Sequence, residues 1–301
     1  MKNSGPNESI RALLSEIVDY AGLFPPSQLS MPEAVINYAT YKNSNYNWML
    51  GRFVVPVSRL EEFLESARDF ISRDGGDSWR LSVLASEDIY ETVSEVIEFN
   101  AANAPEAVID TLETRANSSD EIEYITEAVP SDLMTYIEIP STGDIADLIA
   151  ALAINNQRAK IRLGGVTRDA FPKTGQIIRF IRTCLAANLP FKATAGLHHP
   201  VRCIKPLTYE KNAPQGTMNG FLNVFLAVAF MRRAFKRRLI KELLEDEWPE
   251  SFMFDDNGVL WRQEHFLSTD QLKHLRHSNI ISFGSCSFEE PIEDLQEIGL
   301  L

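Results

Sequence analysis

The segment Phe191-Lys192-Ala193-Thr194-Ala195-Gly196-Leu197-His198-His199-Pro200 decides the fold, because it has the pattern of a buried strand whose polar residues share one face. Side chains alternate along a strand, so Lys192, Thr194 and Gly196 point one way and the apolar residues between them point the other. A strand in an ordinary hydrophobic core does not carry a lysine, because an unpaired lysine is almost never buried. The segment therefore predicts a strand that carries a charged group into an interior and then opens into a loop with two histidines.

A second segment repeats this design upstream. Ala159-Lys160-Ile161-Arg162-Leu163-Gly164-Gly165 places Lys160, Arg162 and Gly164 on one face of a strand. Parallel neighbours in a sheet lie about 4.8 Å apart. We therefore expect the two segments to be adjacent strands whose charged faces are shared.

The rest of the chain alternates strand-like and helical segments. Strand-like runs cover 18–24, 52–56, 80–85, 108–115, 135–140, 160–164, 191–196 and 280–287. Helical patterns cover 7–18, 59–73, 87–100, 118–128, 143–155, 174–188, 219–246 and 290–299, and a further helix begins near Ser30. Strict alternation implies parallel strands with crossover connections. Eight such units in this length predict a (β/α)8 barrel, with an open doubly wound sheet as the alternative.

The barrel is expected to form one domain over residues 1–301, with the helix of residues 7–18 preceding its first strand. Residues 247–280 interrupt the alternation. They contain an Asn257-Gly258 pair between apolar runs, which is typical of a hairpin. We interpret this segment as an insertion between the seventh and eighth strands.

The amino-acid composition of the chain limits the kinds of partner that it can bind. The chain has 29 basic and 42 acidic residues and a net charge of −13, which argues against nucleic acid or an anionic membrane surface as a partner. The longest apolar run, Phe221–Met231, is too short to span a membrane. We expect that run to pack against the barrel or in a contact between subunits. The sequence leaves open whether the protein forms a homo-oligomer. The polar N-terminus has no signal-peptide pattern, and three scattered cysteines fit a cytoplasmic protein.

Polar residues on inward faces are concentrated in one sector of the predicted barrel. They are Thr111, Glu113 and Arg115 on the fourth strand, Tyr136 and Glu138 on the fifth, Lys160 and Arg162 on the sixth, and Lys192 and Thr194 on the seventh. Active sites of such barrels lie at the C-terminal ends of the strands. This sector is therefore the candidate site.

Three cations in this sector point to carbonyl chemistry. Lys160, Arg162 and Lys192 would share a confined space, where burial and like charge both favour a neutral amine, the form that attacks a carbonyl group. Glu113 or Glu138 could then move a proton as a general base. The alternative is a purely structural lattice of buried ion pairs. The attraction within such a lattice rarely exceeds the free energy that is lost when its charges are removed from water.

Three short motifs carry a resemblance to a known family. Lys160-Ile161-Arg162-Leu163-Gly164-Gly165, Lys192-Ala193-Thr194-Ala195-Gly196 and Phe283-Gly284-Ser285-Cys286-Ser287 resemble the last three strands of class I aldolases of the deoxyribose-phosphate aldolase type. The resemblance implies that Lys160 forms the Schiff base, that Lys192 tunes it, and that Gly284-Ser285 binds phosphate. Arg162 stands where the family has a small residue, and His198-His199-Pro200 has no counterpart. The chain, with Asp-Tyr-Ala-Gly-Leu-Phe-Pro-Pro at 19–26, also resembles an uncharacterised bacterial family, which implies no activity.

The candidate residues for binding an anionic substrate follow from the same strands and their loops. They are Arg162, Gly164, Gly165, Thr194, Arg202, Gly284 and Ser285. Backbone amides of a turn such as Gly284-Ser285 suit a phosphate or a carboxylate. A plain strand-to-helix turn is the alternative, and Glu289 and Glu290 are unfavourable neighbours for an anion.

His198 and His199 allow a different class of function. Adjacent residues at a strand end are expected to point to opposite sides, so both should not bind one metal. One of them with Glu138, Glu113 or Asp19 could hold a divalent metal, but no paired histidine spacing supports such a site. We therefore predict no cofactor and leave a metal open.

Three hypotheses result. The first is an aldolase-like lyase that makes or breaks a carbon–carbon bond in a small anionic carbonyl compound, phosphorylated or not. It would act through a Schiff base on Lys160, and its other catalytic residues would be Lys192, Glu138, Glu113 and His198. The second is a metal-dependent lyase, isomerase or hydrolase that uses His198 or His199 with Glu138. The third is a barrel that binds a ligand without catalysis.

Overall fold

The computed structural model describes residues 5–71 and 77–301. Its strands are β1 (Val18–Tyr20), β2 (Leu50–Pro56), β3 (Trp79–Leu84), β4 (Ala107–Arg115), β5 (Met134–Glu138), β6 (Arg158–Arg162), β7 (Phe191–Thr194), β8 (Cys203–Pro206), β9 (Gln215–Met218), β10 (Phe252–Asp255), β11 (Gly258–Trp261), β12 (His265–Ser268) and β13 (Ile280–Ser285). Strands β1 to β7 and β13 close into a parallel barrel in the order β1-β13-β7-β6-β5-β4-β3-β2. The predicted (β/α)8 barrel is confirmed.

The helices follow the predicted alternation. They are α1 (Glu8–Leu14), α2 (Met31–Lys42), α3 (Leu60–Ala67), α4 (Ile89–Asn103), α5 (Ser119–Ala128), α6 (Ile145–Ile154), α7 (Thr174–Ala186), α8 (Phe221–Arg232), α9 (Arg237–Leu244), α10 (Thr269–Ser278) and α11 (Glu289–Glu297). Helix α2 begins where expected because Ser30 and Glu33 form a reciprocal cap. The predicted helix over 59–73 ends at Ala67, and its residues 72 and 73 lie outside the described residues.

The strand register confirms the charged sector. Glu138 of β5 lies opposite Lys160 of β6, which lies opposite Lys192 of β7, and Arg162 lies opposite Thr194. Side chains on one level of adjacent parallel strands point the same way. The barrel therefore brings these groups to one level near the C-terminal ends of its strands.

The connection between β7 and β13 differs from the prediction. The expected helix over 219–246 is two helices, α8 and α9, separated at Ala234, where φ is 58°. The expected insertion over 247–280 contains the antiparallel sheet β10-β11-β12. The predicted hairpin is present, but its turn is Asp256-Asn257, because Gly258 already pairs with Asp255 at the start of β11. Its last part is α10, which packs against β13 rather than standing apart. A hairpin, β8–β9, was not predicted.

Helix α8 is buried on all sides, which explains its apolar sequence. Residues 221–230 are all buried, and Phe221 stacks on Phe283 of β13. Asn223, the one polar residue of that run, donates to the carbonyls of Leu243 and Asp246 at 2.7 and 2.8 Å and thereby ties α8 to α9. No helix within the described ranges has the length and apolar character that crossing a bilayer requires.

A second ionic cluster lies at the opposite, N-terminal end of the barrel. Arg52 pairs with Asp110, and Arg80 bridges Asp110 and Glu16 at 3.0 and 2.7 Å. These residues lie near the beginnings of β2, β3 and β4, away from the end where barrel active sites are found. We assign this cluster to stability.

Candidate active site

A cavity of about 350 Å³ opens at the C-terminal end of the barrel. Its floor contains Lys160 and Glu113, and its wall is formed by loops after β1, β6, β7 and β13 and by the β8–β9 hairpin. A cavity of this size falls in the range of small-molecule sites. The charged sector predicted from the sequence therefore lies beneath a ligand-sized space.

Lys160 is the lysine that faces this cavity. The residue is only 5% exposed, and its Nζ lies 2.8 Å from Glu113 Oε2 and 3.1 Å from Glu138 Oε2. Two carboxylates thus lie within proton-transfer distance of the amine. Among the two lysines of the charged sector, this one can meet a ligand.

Lys192 lies deeper, beneath the cavity floor. It is 1% exposed, and its Nζ contacts Asp19 Oδ2 at 2.5 Å and Glu113 Oε1 at 2.7 Å. The ammonium group also lies 5.4 Å from the centre of the Tyr136 ring. Burial opposes its charge, but the two carboxylates outweigh burial and raise the pKa of Lys192. Lys192 is therefore a fixed cation.

Glu113 joins the two lysines because each of its oxygens contacts one of them. Ser82 of β3 adds a hydrogen bond of 2.6 Å to Glu113 Oε1. Burial would raise the pKa of Glu113, but Lys160 and Lys192 outweigh burial and lower it. Glu113 is thus held ionised below the cavity.

Asp19 completes the network from the opposite side of Lys192. Its Oδ2 accepts a hydrogen bond of 2.7 Å from Ser282, and its Oδ1 accepts one of 2.9 Å from the backbone amide of Arg52. These bonds reach Asp19 from β13 and β2, the two neighbours of β1 in the barrel. The carboxylate is therefore fixed by three strands.

The network is balanced in charge, which corrects the predicted excess of cations. Asp19, Glu113 and Glu138 are the anions, and they face the cations Lys160, Lys192 and Arg162. Glu113 and Glu138 were expected beside the three cations as candidate bases, but Asp19, which contacts Lys192, was not placed in this cluster. Lys192 consequently acts on Lys160 through their shared partner Glu113.

Glu138 and Arg162 form the rim of the site. Arg162 Nε lies 2.9 Å from Glu138 Oε1, and the arginine side chain is 47% exposed. Burial would raise the pKa of Glu138, but Lys160 and Arg162 outweigh burial and lower it. A groove of about 630 Å³ on the side of β4 to β6 shares Glu113, Lys160 and Arg162 with the cavity. The carboxylate of Glu138 can be reached from that side.

His198 and His199 lie on the cavity wall in an arrangement that the sequence did not predict. Both rings line the cavity, and their centroids are 6.3 Å apart. The expectation that they point to opposite sides is wrong, because β7 ends at Thr194 and the histidines follow in an irregular loop. His198 Nδ1 lies 3.1 Å from Glu290 Oε2, and His199 Nδ1 lies 2.5 Å from Asp294 Oδ2.

These contacts separate the histidines from the carboxylates proposed as metal ligands. His198 and His199 are bound to α11, whereas Glu138 is bound to Lys160 and Arg162. Within residues 5–71 and 77–301, no group of three or more histidine, cysteine, aspartate or glutamate side chains has a spacing that could hold a metal ion.

The glycines after β6 and β7 allow the two strand ends to approach closely. Gly196 has φ of 69°, and a Cβ there would lie 2.8 Å from the Cα of Gly164. Gly164 is thus a packing residue, whereas Gly165 and Thr194 line the cavity. The predicted strand over 191–196 ends early because Ala195 and Gly196 both have positive φ.

The predicted anion-binding turn is only partly available. Gly284 lines the cavity, but Ser285 is buried and its Oγ accepts from the amide of Ser287 at 3.3 Å. The amide of Glu290 donates to Ser287 Oγ at 3.1 Å. Arg202 is directed away from the cavity, with its Nε 3.3 Å from Glu247. The structure does not bring Arg202 into the site.

Two residues of the site, Ser82 and Ser282, were missing from the sequence prediction, and two others were named only in different roles. Asp19 was considered as a metal ligand and Glu290 as an unfavourable neighbour for an anion, and nothing in the sequence pairs Asp19 with Lys192. Ser82 and Ser282 look like ordinary strand residues. Glu290 lies on a helix whose position over the cavity depends on the closure of the barrel.

Comparison of the chain with protein-family models, with curated proteins and with solved structures gives no match. The function must therefore be argued from the site itself.

Proposed function

We propose that this protein is an enzyme that binds a small anionic carbonyl compound and makes or breaks a carbon–carbon bond through a Schiff base on Lys160. The observation that carries the proposal is the position of Lys160 on the floor of a ligand-sized cavity, within 2.8 and 3.1 Å of two carboxylates. A lysine needs a proton acceptor and a desolvated site to act as a nucleophile. Lys160 has both.

The first step requires the ammonium group to lose a proton. Glu138 is the acceptor that fits best, because it contacts Lys160 and is also reached from the neighbouring groove. The neutral amine then attacks the carbonyl carbon, and a C–N bond forms as the C–O π bond breaks. The oxygen takes up the proton held by Glu138 and a second proton from the nitrogen, and it leaves as water when the remaining C–O bond breaks. The product is an iminium ion, whose positive charge replaces that of the ammonium group beside Glu113.

The second step breaks the carbon–carbon bond between the α and β carbons of the iminium. A base removes the proton of the hydroxyl on the β carbon, which leaves as the carbonyl group of the first product, the C–C electrons move toward the iminium, and an enamine remains on Lys160. Protonation of the enamine carbon and hydrolysis release the second product and restore the lysine. His198 suits the proton transfer, since it lines the cavity and a carboxylate on its Nδ1 orients the ring.

Lys192 has a supporting role in this proposal. Its charge is fixed by Asp19 and Glu113 and lies outside the cavity lining. It keeps Glu113 ionised and in place, so that Glu113 can balance a positive charge on Lys160 through the reaction. Lys192 is therefore a positioning residue and not a nucleophile.

Reductive trapping tests the proposal. The protein is incubated with a panel of aldehydes and oxo acids, treated with borohydride, and digested for peptide mass spectrometry. We expect an adduct on Lys160 and none on Lys192, and we expect Lys160→Met to abolish it. The exposed Lys273 gives the background of unspecific labelling, because its side chain is 57% exposed at the protein surface. Labelling of Lys160 that never exceeds this background would refute the proposal.

A further inference from the structure

We infer that the natural ligand of the cavity is a monoanionic carbonyl compound that carries an apolar group and no phosphate. This inference rests on the proposed function for the identity of the reacting group, and it narrows the substrate class. It depends on three features of the cavity: the apolar wall, the partly occupied amides of the turn after β13, and the small number of cations.

The upper wall of the cavity is largely apolar. Three separate connections supply it: the loop after β1, the loop after β6 and the β8–β9 hairpin. The larger apolar lining residues of these connections are Phe24, Pro25, Pro26, Val166, Phe171, Leu207 and Met218, and the hairpin also contributes Thr208 and Tyr209. A polar sugar phosphate would leave this surface without a partner, whereas an aromatic or branched aliphatic group would cover it. Lys160 and Glu113 lie at the opposite, floor end of the same cavity, whereas Arg162 lies at its rim and Glu290 in its wall.

The turn that the aldolase resemblance assigns to phosphate is partly occupied by the protein's own groups. The amides of Ser287 and Glu290 donate to the hydroxyls of Ser285 and Ser287. The first turn of α11 contains Glu289 and Glu290, and the Glu290 carboxylate itself lines the cavity. Two carboxylates at this position oppose a dianionic phosphate by like-charge repulsion.

The cavity also has few cations for a dianion. In the part of the chain that the structure describes, Lys160 and Arg162 are the only lysine or arginine side chains that line it. Lys160 is needed for the carbonyl carbon, and Arg162 shares its charge with Glu138. A half-exposed arginine can still bind one carboxylate group of a ligand. The available charge therefore fits one negative group.

Calorimetric binding of three probes to the full-length protein tests the inference. The probes are 3-phenylpropanoate, propanoate and glycerol 3-phosphate, none of which has a carbonyl group that could form a Schiff base. We expect 3-phenylpropanoate to bind at least tenfold more tightly than either of the others, because only its ring covers the apolar wall. Tighter binding of glycerol 3-phosphate, equal binding of the two acids, or no binding of any probe would overturn the inference.

Two variants locate the effect. Phe171→Ala should weaken binding of 3-phenylpropanoate about fivefold to tenfold and leave propanoate unchanged, because Phe171 lines the cavity. Phe266→Ala is the matched control, since Phe266 is 44% exposed and does not line the cavity. An equal loss in both variants would contradict the assignment.

The two proposals can fail separately. Binding of 3-phenylpropanoate without any borohydride adduct on Lys160 would remove the Schiff-base function and keep the ligand class. Adducts that form only with phosphorylated aldehydes would keep the Schiff-base function and remove the ligand class.

Discussion

Replacing Lys192 by methionine should be the most informative single perturbation of the buried network. The substitution keeps an unbranched side chain in the core and removes the charge that Asp19 and Glu113 share. Breaking a buried ion pair on one side costs about 3–5 kcal/mol of unfolding free energy. Asp19 keeps its bonds from Ser282 and Arg52, and Glu113 keeps Lys160 and Ser82. We therefore expect about 3 kcal/mol, the lower end of that range.

The pH dependence of this loss has a definite sign. The pKa of Glu113 is lowered in the folded protein, so its stabilising contribution is present above its unfolded pKa of about 4.3 and disappears as the pH falls through the folded value. The pKa of Lys192 is raised, so the contribution of its charge is complete below about pH 10. The difference between Lys192→Met and the native protein should be constant from about pH 6 to 9 and should shrink below about pH 4.5.

Urea unfolding followed by tryptophan fluorescence and circular dichroism measures these differences, provided that both signals change together. Lys273→Met is the matched control, because that lysine is 57% exposed and its carboxylate neighbours are 3.9 and 4.0 Å away, so about 0.5 kcal/mol or less is expected. The double variant Lys192→Met/Asp19→Asn removes an unpaired charge and should be more stable than Lys192→Met alone. A loss below about 1 kcal/mol for Lys192→Met, or a double variant that is less stable than the single one, would refute the reasoning.

Three further predictions follow from the same structure. Gly196→Ala should cost at least about 2 kcal/mol more in thermal unfolding than Gly143→Ala, since both glycines have positive φ but only Gly196 would place its Cβ within 4 Å of other atoms. Asn223→Leu should lower stability by about 2–3 kcal/mol in urea unfolding, because it removes the partner of two buried carbonyls and of one partly buried amide; a neutral result would mean that α8 and α9 are held by apolar contacts alone. Glu138→Gln should slow borohydride trapping at Lys160 about a hundredfold, since it removes the proton acceptor, while 3-phenylpropanoate still binds at least as tightly, because Arg162 no longer shares its charge with Glu138; an unaltered trapping rate would assign the role of acceptor to another group.

The fold was predictable because period and alternation are local properties of the sequence. Eight strand-like runs separated by helical patterns leave few topologies open, and the closed parallel barrel is one of them. The hairpin β8–β9 was missed because its strands are four residues each and largely exposed, so they carry no apolar period. The break between α8 and α9 was missed because the basic run after Met231 continues a helix-compatible composition.

For the site, the sequence predicts only which side chains share the inward face of a strand. Period-two alternation places Lys160, Lys192 and Glu113 inside the barrel, as the structure shows. It does not say which carboxylate contacts which lysine, because those contacts cross from β1 to β7 and from β4 to β7 through the barrel interior. The error about the charge balance has the same origin, since Asp19 lies far from Lys192 in sequence and next to it in space.

The composition of the barrel interior argues that the network exists for chemistry. The interior of such a barrel is usually filled by branched apolar side chains, and replacing a buried ion pair by packed apolar residues is often neutral or stabilising. Here two lysines and three carboxylates occupy the C-terminal end, whereas the cluster of Arg52, Arg80 and Asp110 at the other end already ties strands together. The first cluster differs from the second in that one of its ammonium groups, that of Lys160, meets an open cavity.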